Sequence, residues 1–273
     1  MILEQTIDLL KTRYKEQIEK LTIADVRMGI YLTAVRLSDG SCGVASTDIE
    51  SQPPCCKKDR DYGDFTPTKI VGQRLIDLLE SDKPLKALDT LKISSLNAVS
   101  MKILSESDYH IIEDTDPVDL VDLTQHRTIT LVGGFHSYIQ KIAATDNKLH
   151  VLELDENALR EDQKSYYVPA EEYVNILPVS DVVIITGLTL VNNTIDGLLG
   201  AIAPHSQVIV AGPSSSLLPD VLFENKVNII GATKITDPEK AFAVAGQAGS
   251  GYHLFKYCAR KICILNEKRK PGL

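Results

Sequence analysis

The sequence predicts two domains of different class: an α+β domain over residues 1–108 and an α/β domain over 109–273 whose sheet is mostly parallel. Three observations predict this. The chain's 273 residues exceed the usual size of a single hydrophobic core. The first part runs from a helical stripe through an antiparallel hairpin to further helices. From Thr128 onward, short β-branched runs alternate with helical segments, the pattern of strands buried on both faces.

Ile7, Leu10, Tyr14, Ile18 and Leu21 recur at steps of three and four and mark an opening amphipathic helix. Val26, Met28, Ile30, Leu32 and Ala34 alternate with Arg27, Tyr31 and Thr33, which predicts one strand that Asp39-Gly40 turns back into Cys42 to Ser46. Gln52 to Asp64 carries Pro53-Pro54 and a run of charges, so it reads as a loop. Thr66-Pro67 supplies a cap and a first-turn proline, predicting a helix through Ile70, Val71, Leu75, Leu78 and Leu79. Beyond Asp82 to Pro84 another helix is expected through Leu85, Leu88, Leu96, Val99 and Ile103. Acidic residues collect between Glu106 and Asp122, where Asp116-Pro117 opens a short helix; this stretch reads as the interdomain connection with a solvated acidic face.

In the second domain the strands are expected at Ile129 to Val132, Leu149 to Leu154, Val182 to Ile185, Val208 to Val210 and Val227 to Ile230. Five such runs with crossover helices make a doubly wound sheet, whose ligands sit beyond the carboxyl ends of the strands.

Composition narrows the function classes. Apolar residues make up 44% and charged residues 24%, which excludes a disordered chain. Lys+Arg 29 against Asp+Glu 37 leaves a net charge of -8, and with no basic stripe this argues against nucleic acid as a partner. Lys268 to Lys270 read as a solvated tail. No run reaches the ~18 apolar residues of a membrane span, and Met1 to Glu4 does not open a secretory leader, so no membrane partner and a cytoplasmic location are expected. The 5 cysteines lack paired spacing, which fits free thiols in a reducing compartment.

The residues that follow the five runs are chemically uniform: Gly133-Gly134 with His136, then Glu153 and Asp155, Thr186-Gly187-Leu188-Thr189, Gly212-Pro213-Ser214-Ser215-Ser216, and Gly231-Ala232-Thr233. Glycines let a ligand approach the backbone, and small hydroxyl residues ahead of a helix leave amide donors that favour a carboxylate or phosphate. The same residues also cap helices and turn chains. The expected site comprises Asn97, Gly133, Gly134, Thr186, Gly187, Thr189, Asn192, Asn193, Gly212, Pro213, Ser214 and Ser215, holding a small anionic ligand or a metal chelate in the interdomain cleft. His136, Glu153 and Asp155 are the candidate metal ligands. Asn97 is expected to face the second domain, because a buried amide left unpaired costs about 1–3 kcal/mol. Thr189 and Asn192 are expected to point toward Gly212 and Ser214, while Asn193 or Thr194 caps the next helix.

A closed zinc cage is not expected, since Cys-x-x-Cys and His-Glu-x-x-His are both missing. Cys55-Cys56 is a vicinal pair in the charged loop, of a kind that holds thiophilic metals but is more often incidental. Cys258 and Cys263, in what reads as a last helical stretch, and Cys42 in the hairpin are assigned to core packing. The rival reading is an enzyme using a nucleotide-derived cofactor, NAD or S-adenosylmethionine. Asp155 lies about 20 residues beyond Gly133-Gly134, where a ribose-binding acid sits in nucleotide folds, although the third glycine of the dinucleotide fingerprint is replaced by His136-Ser137-Tyr138. A scaffold, or a homo-oligomer whose cleft is an interface, is the third.

Four strings carry a family resemblance: Ser95-Leu96-Asn97-Ala98, Leu131-Val132-Gly133-Gly134-Phe135, Thr186 through Ile195 with Leu198-Leu199, and Val210 through Pro219. They resemble an uncharacterised prokaryotic family described as putative heavy-metal chelation proteins, over nearly the whole chain. The resemblance implies an enolase-N-like first domain packed on a Rossmann-like second, a site in the cleft between them, and a divalent heavy metal as cofactor. Members often carry a proline soon after the Gly-x-Phe segment, where this chain has His136.

Overall fold

A computed structural model describes residues 1–48 and 61–269. The opening stripe folds as α1 (Ile2–Arg13) and α2 (Lys15–Ile18), broken at Tyr14, and sets Ile2, Leu10 and Ile18 into the core. Three antiparallel strands follow in spatial order, β1 (Ile23–Met28), β2 (Leu32–Leu37) and β3 (Cys42–Ser46). The single strand expected from Val26 to Ala34 is therefore two. The chain reverses at Gly29, whose N–H donates to the Leu32 carbonyl at 2.9 Å. Alternation concealed the turn because Ile30 and Tyr31 at its tip are apolar yet exposed. The second reversal falls at Asp39-Gly40 as expected, with Gly40 at φ +86°.

Thr66-Pro67 starts no helix. Lys69 N–H closes a turn onto the Thr66 carbonyl at 2.9 Å, Thr68 sits at φ +79°, and backbone groups of Leu21 and Ile23 exchange hydrogen bonds with Gly72, Gln73 and Leu75, so α3 begins late, at Leu75–Leu79. Tertiary hydrogen bonding overrides the local cap signal here. The expected loop from Gln52, with Cys55-Cys56, lies outside the described residues up to residue 60. Helix α4 (Lys86–Ser105) crosses the middle of the molecule, with Leu88, Leu91, Leu96 and Leu104 buried. It rests directly on β3.

The acidic stretch contributes an unexpected edge strand, β4 (Ile111–Glu113), before the short helical turn Pro117–Leu120 that Asp116 caps. The chain then runs β5 (Thr128–Val132), α5 (His136–Ala143), β6 (Lys148–Glu153), β7 (Tyr167–Pro169), α6 (Tyr173–Ile176), β8 (Val182–Thr186), α7 (Leu188–Val191) and α8 (Ile195–Ala201). It continues through β9 (Gln207–Ala211), α9 (Asp220–Glu224), β10 (Ile229–Ile235), α10 (Pro238–Gly246), α11 (Gly251–Tyr257) and β11 (Ala259–Leu265). The eight-stranded sheet has the order β4-β11-β10-β9-β8-β5-β6-β7. Strands β10 to β7 in that order are parallel, and β11 and β4 extend the sheet antiparallel.

All five expected runs are strands, and the central ones are buried on both faces. Val183 and Ile185 of β8 join the core that includes Leu96, whereas Val182 and Ile184 join the core that includes Ile139. Two expectations change. Gly231-Ala232-Thr233 lie within β10, because antiparallel pairing with β11 continues to Ile235 after the parallel pairing with β9 ends at Gly231. Cys263 lies in β11, not in a helix, and Cys258 sits at the end of α11; both are buried, as core packing requires.

Candidate functional site

Strands β6 and β7 lie on one side of β5, and β8 and β9 lie on the other. Connections leaving β5 and β8 therefore diverge, and a crevice opens between their carboxyl ends. Gly133, at φ +106°, keeps that crevice open: a Cβ there would meet the Thr186 methyl at 3.0 Å. The resulting cavity, about 590 Å³, takes in Gly133, Gly134, Glu153, Thr186, Thr189, Asn192 and Asn193 of the predicted set. Leu152, Leu154, Tyr173, Leu188 and Leu198 supply apolar walls, and Leu154 is 82% exposed at the mouth. Among the described residues its lining falls entirely within 132–198, with none from the amino-terminal part.

The loop from Thr186 to Thr194 has its own internal bonding. Thr189 Oγ1 donates to the Thr186 carbonyl at 2.7 Å, and Asn192 Oδ1 accepts from Thr194 Oγ1 at 2.7 Å and Thr194 N–H at 3.3 Å. Asn193 holds φ +58°. Neither Asn193 nor Thr194 caps α8 through its side chain, contrary to expectation, because the Thr194 hydroxyl is taken up by Asn192. Thr189 and Asn192 face the same cavity as Gly133 rather than Gly212 and Ser214.

The loop after β9 is a clamp. Ser214 Oγ accepts from Ser46 N–H at 2.8 Å, and Ser215 Oγ lies 2.7 Å from the Gly212 carbonyl and 2.6 Å from that of Gly231. Both serines are fully buried, so their hydroxyls serve the fold. Gly187 is required by packing, since a Cβ would stand 2.9 Å from Ser215 N. Asn97, 1% exposed, reaches this loop from α4: its Nδ2 donates to the Val44 carbonyl at 2.7 Å and to that of Pro213 at 3.2 Å. Asn97 does face the strand ends, but as a bridge between backbone carbonyls. Gly212 and Pro213 open on a separate cavity.

The three candidate metal ligands are engaged separately. His136 Nδ1 donates to Gln163 Oε1 at 2.7 Å, and Gln163 Nε2 returns a bond to the His136 carbonyl. Asp155 caps the next turn by accepting from Asn157 N–H at 2.9 Å, and Glu153 Oε1 accepts from Leu154 N–H at 2.8 Å. Among the described residues no three His, Cys, Asp or Glu side chains form a metal-holding group. Burial pushes the Cys42 and Cys263 thiols up to about 12 and raises that of Cys258. Thiolate, the form that binds metal or attacks an electrophile, is therefore scarce at neutral pH. Brief iodoacetamide treatment at pH 7.5 is expected to leave these three cysteines unmodified in peptide mass maps. Rapid alkylation of Cys42 would overturn that assignment.

The cavity is acidic. Glu153 and Glu171 line it, and no Lys, Arg or His does among the described residues. Nearby, the Tyr167 phenol is raised by burial and by the field of Glu171, Glu156, Asp155 and Glu153. Sequence reasoning missed Glu171, Tyr173 and Leu154. The first two follow β7, a three-residue strand ending in proline that carries no periodic signal.

Fold and cavity together define a mixed α/β protein, with a mostly parallel sheet whose central crevice has the dimensions of a small-molecule pocket. The chain belongs to the family described as putative heavy-metal chelation: the match covers residues 116–264, and a second match with the same description covers residues 11–100. An uncharacterized protein of Methanocaldococcus jannaschii is 28% identical over 177 residues, 63% of this chain and 64% of that relative, less than two thirds of its length. Two solved structures of proteins with unknown function share the fold across 97% of this chain and 98% of theirs. They come from Pyrococcus horikoshii, with 21% identity and a TM-score of 0.73, and from Desulfitobacterium hafniense, with 18% and 0.74. Among the described residues no helix is long and apolar enough to cross a membrane.

Proposed function

We propose that the cavity beyond β5, β6 and β8 binds a positively charged nucleoside-type ligand, of the class of S-adenosylmethionine. The observation that carries this reading is the pairing of a Gly133-Gly134 turn after β5 with a carboxylate, Glu153, at the end of the neighbouring β6, in a lining without cations among the described residues. From β7 to β10 the parallel strands follow the order of a Rossmann-like domain, in which an acid at that strand end binds the ribose hydroxyls. The reading thus takes residues 109–273 as Rossmann-like, and residues 1–108 as the enolase-N-like α+β domain that clamps the loop after β9.

Charge separates the ligand classes. A unit charge 5 Å from a carboxylate at an effective dielectric of 20 interacts by about 3 kcal/mol. With Glu153 and Glu171 both present, this term opposes the free anion expected from the sequence and the diphosphate of NAD, and favours a sulfonium. The missing third glycine argues the same way. The two carboxylates also favour a positively charged metal complex, the reading under which the family description applies to this cavity. The described residues do not fit a bare metal ion, for which they form no ligand cluster.

Thermal-shift and calorimetric titrations with S-adenosylmethionine, S-adenosylhomocysteine, adenosine, NAD, zinc and nickel test this. S-Adenosylmethionine is expected to raise the melting temperature, and Glu153→Gln to weaken its binding at least about tenfold, the loss of one charge-assisted hydrogen bond. Stabilisation by NAD or by metal salts, with none from the three adenosine compounds, overturns the proposal.

A further inference from the structure

A second cavity, about 540 Å³, is lined by Phe135, the residue after the Gly133-Gly134 turn of the first, and has the opposite charge. Its floor is backbone with almost no side chain: Ala211, Gly212, Gly231 and Gly251. Gly212 is held at φ +127°, and a Cβ on Gly231 would overlap the Pro117 ring at 2.4 Å, so both positions exclude larger residues. The walls are aromatic. Phe135 stacks on Tyr138 with centroids 5.0 Å apart and planes 5° from parallel, and Tyr252 and Phe255 also line the cavity.

Among the described residues two lysines line this cavity and no carboxylate does. Lys261 is compensated: its Nζ pairs with Asp116, which also accepts the Tyr138 hydroxyl. Lys256 is different. Its Nζ lies 5.4 Å from the Tyr252 ring centroid and 5.3 Å from that of Tyr257 and donates a long bond, 3.5 Å, to the Tyr252 hydroxyl, and no carboxylate reaches it within ion-pair distance among the described residues. An ammonium set among aromatic rings at the edge of a glycine-floored slot offers a counter-charge to one kind of guest.

We infer that this second cavity binds a small planar aromatic carboxylate, stacked between the aromatic walls with its carboxylate toward Lys256. Flat rings pack on aromatic faces and on bare backbone, and a carboxylate completes the lysine's charge. The inference does not depend on the nucleoside reading. Gly133 and Gly134 line the first cavity and Phe135, the next residue, lines the second, so if both hold the two ligands bind beside one turn.

Naphthalene-2-carboxylate is a suitable probe, because its fluorescence is free of tryptophan background in a chain with Trp 0. Titration is expected to give saturable binding, with the neutral naphthalene-2-methanol at least about tenfold weaker. Gly251→Leu should abolish binding while the protein stays folded, because the new Cβ meets only the Pro213 ring at an ordinary 3.8 Å and the rest of the side chain fills the slot. Lys256→Gln, an exposed substitution, should weaken carboxylate binding about tenfold and leave the alcohol unaffected. Glu153→Gln should leave carboxylate binding unchanged, which separates this site from the first cavity. Absence of binding, equal affinity for acid and alcohol, or carboxylate binding that survives both Gly251→Leu and Lys256→Gln overturns the inference.

Discussion

Gly43→Val is expected to destabilise the protein by at least about 3 kcal/mol, at the upper end of overpacking costs. A Cβ at Gly43 would lie 2.2 Å from the Ser94 carbonyl oxygen and 2.3 Å from Ala98 N, both backbone atoms of α4. Backbone cannot rotate aside as a side chain does, so α4 would have to move off β3 by an ångström or more. That movement would also withdraw Asn97 from Pro213. Thermal unfolding followed by circular dichroism should show a melting temperature lower by roughly 6–12 °C, at about 2–4 °C per kcal/mol for a chain of this size. Gly200→Ala is the control. Gly200 lies in α8 with nothing within 4 Å of a new Cβ, and alanine there should stabilise by about 0.5–1 kcal/mol. A loss below about 1 kcal/mol in Gly43→Val would mean that α4 is not seated on β3 as described.

Asn97→Asp is expected to cost about 3–5 kcal/mol at neutral pH, the range for a buried charge left without its partner. Both hydrogens of the Asn97 amide point at carbonyl oxygens, those of Val44 and Pro213. A carboxylate supplies neither hydrogen and repels both acceptors, in a position 1% exposed. Burial and repulsion would raise the new carboxyl above its unfolded pKa, so the folded state would hold its proton over a wider range than the unfolded one. The sign follows: the deficit is least below the unfolded value near 3.9 and grows as pH rises through the folded value. Asn97→Ala, which only removes the donors, should cost about 1–3 kcal/mol with no such pH dependence. Denaturant titrations of the three proteins between pH 4 and 7 measure this. An Asn97→Asp protein as stable as the parent at pH 7 would remove Asn97 from its bridging role.

Part of the lining of the candidate cavity was legible in the chain because each contribution is local. Gly133-Gly134 and Thr186-Gly187 follow β-branched runs, and a strand followed by glycine marks its own carboxyl end. Glu153 was visible in the same way, and Asn97 because an amide among leucines on a helix needs a buried partner. The hydroxyls of Ser214 and Ser215 misled for the reason that made them conspicuous. Small polar residues after a strand serve a ligand or another loop equally well, and only Ser46 and Asn97, from the other end of the sequence, decide between the two.

By itself the sequence determined the opening helical stripe, the long helix α4, the five buried strands, the Asp39-Gly40 reversal and the acidic net charge, because periodicity and turn chemistry act over a few residues. The tertiary structure decided the rest. It converted Thr66-Pro67 from a helix start into a turn, lengthened β10 past Gly231, and divided one expected cleft into an acidic cavity and a lysine-bearing aromatic one. Those outcomes depend on which distant backbones pair and which side chains share a wall. Such contacts join residues scores of positions apart, and no local pattern along the chain records them.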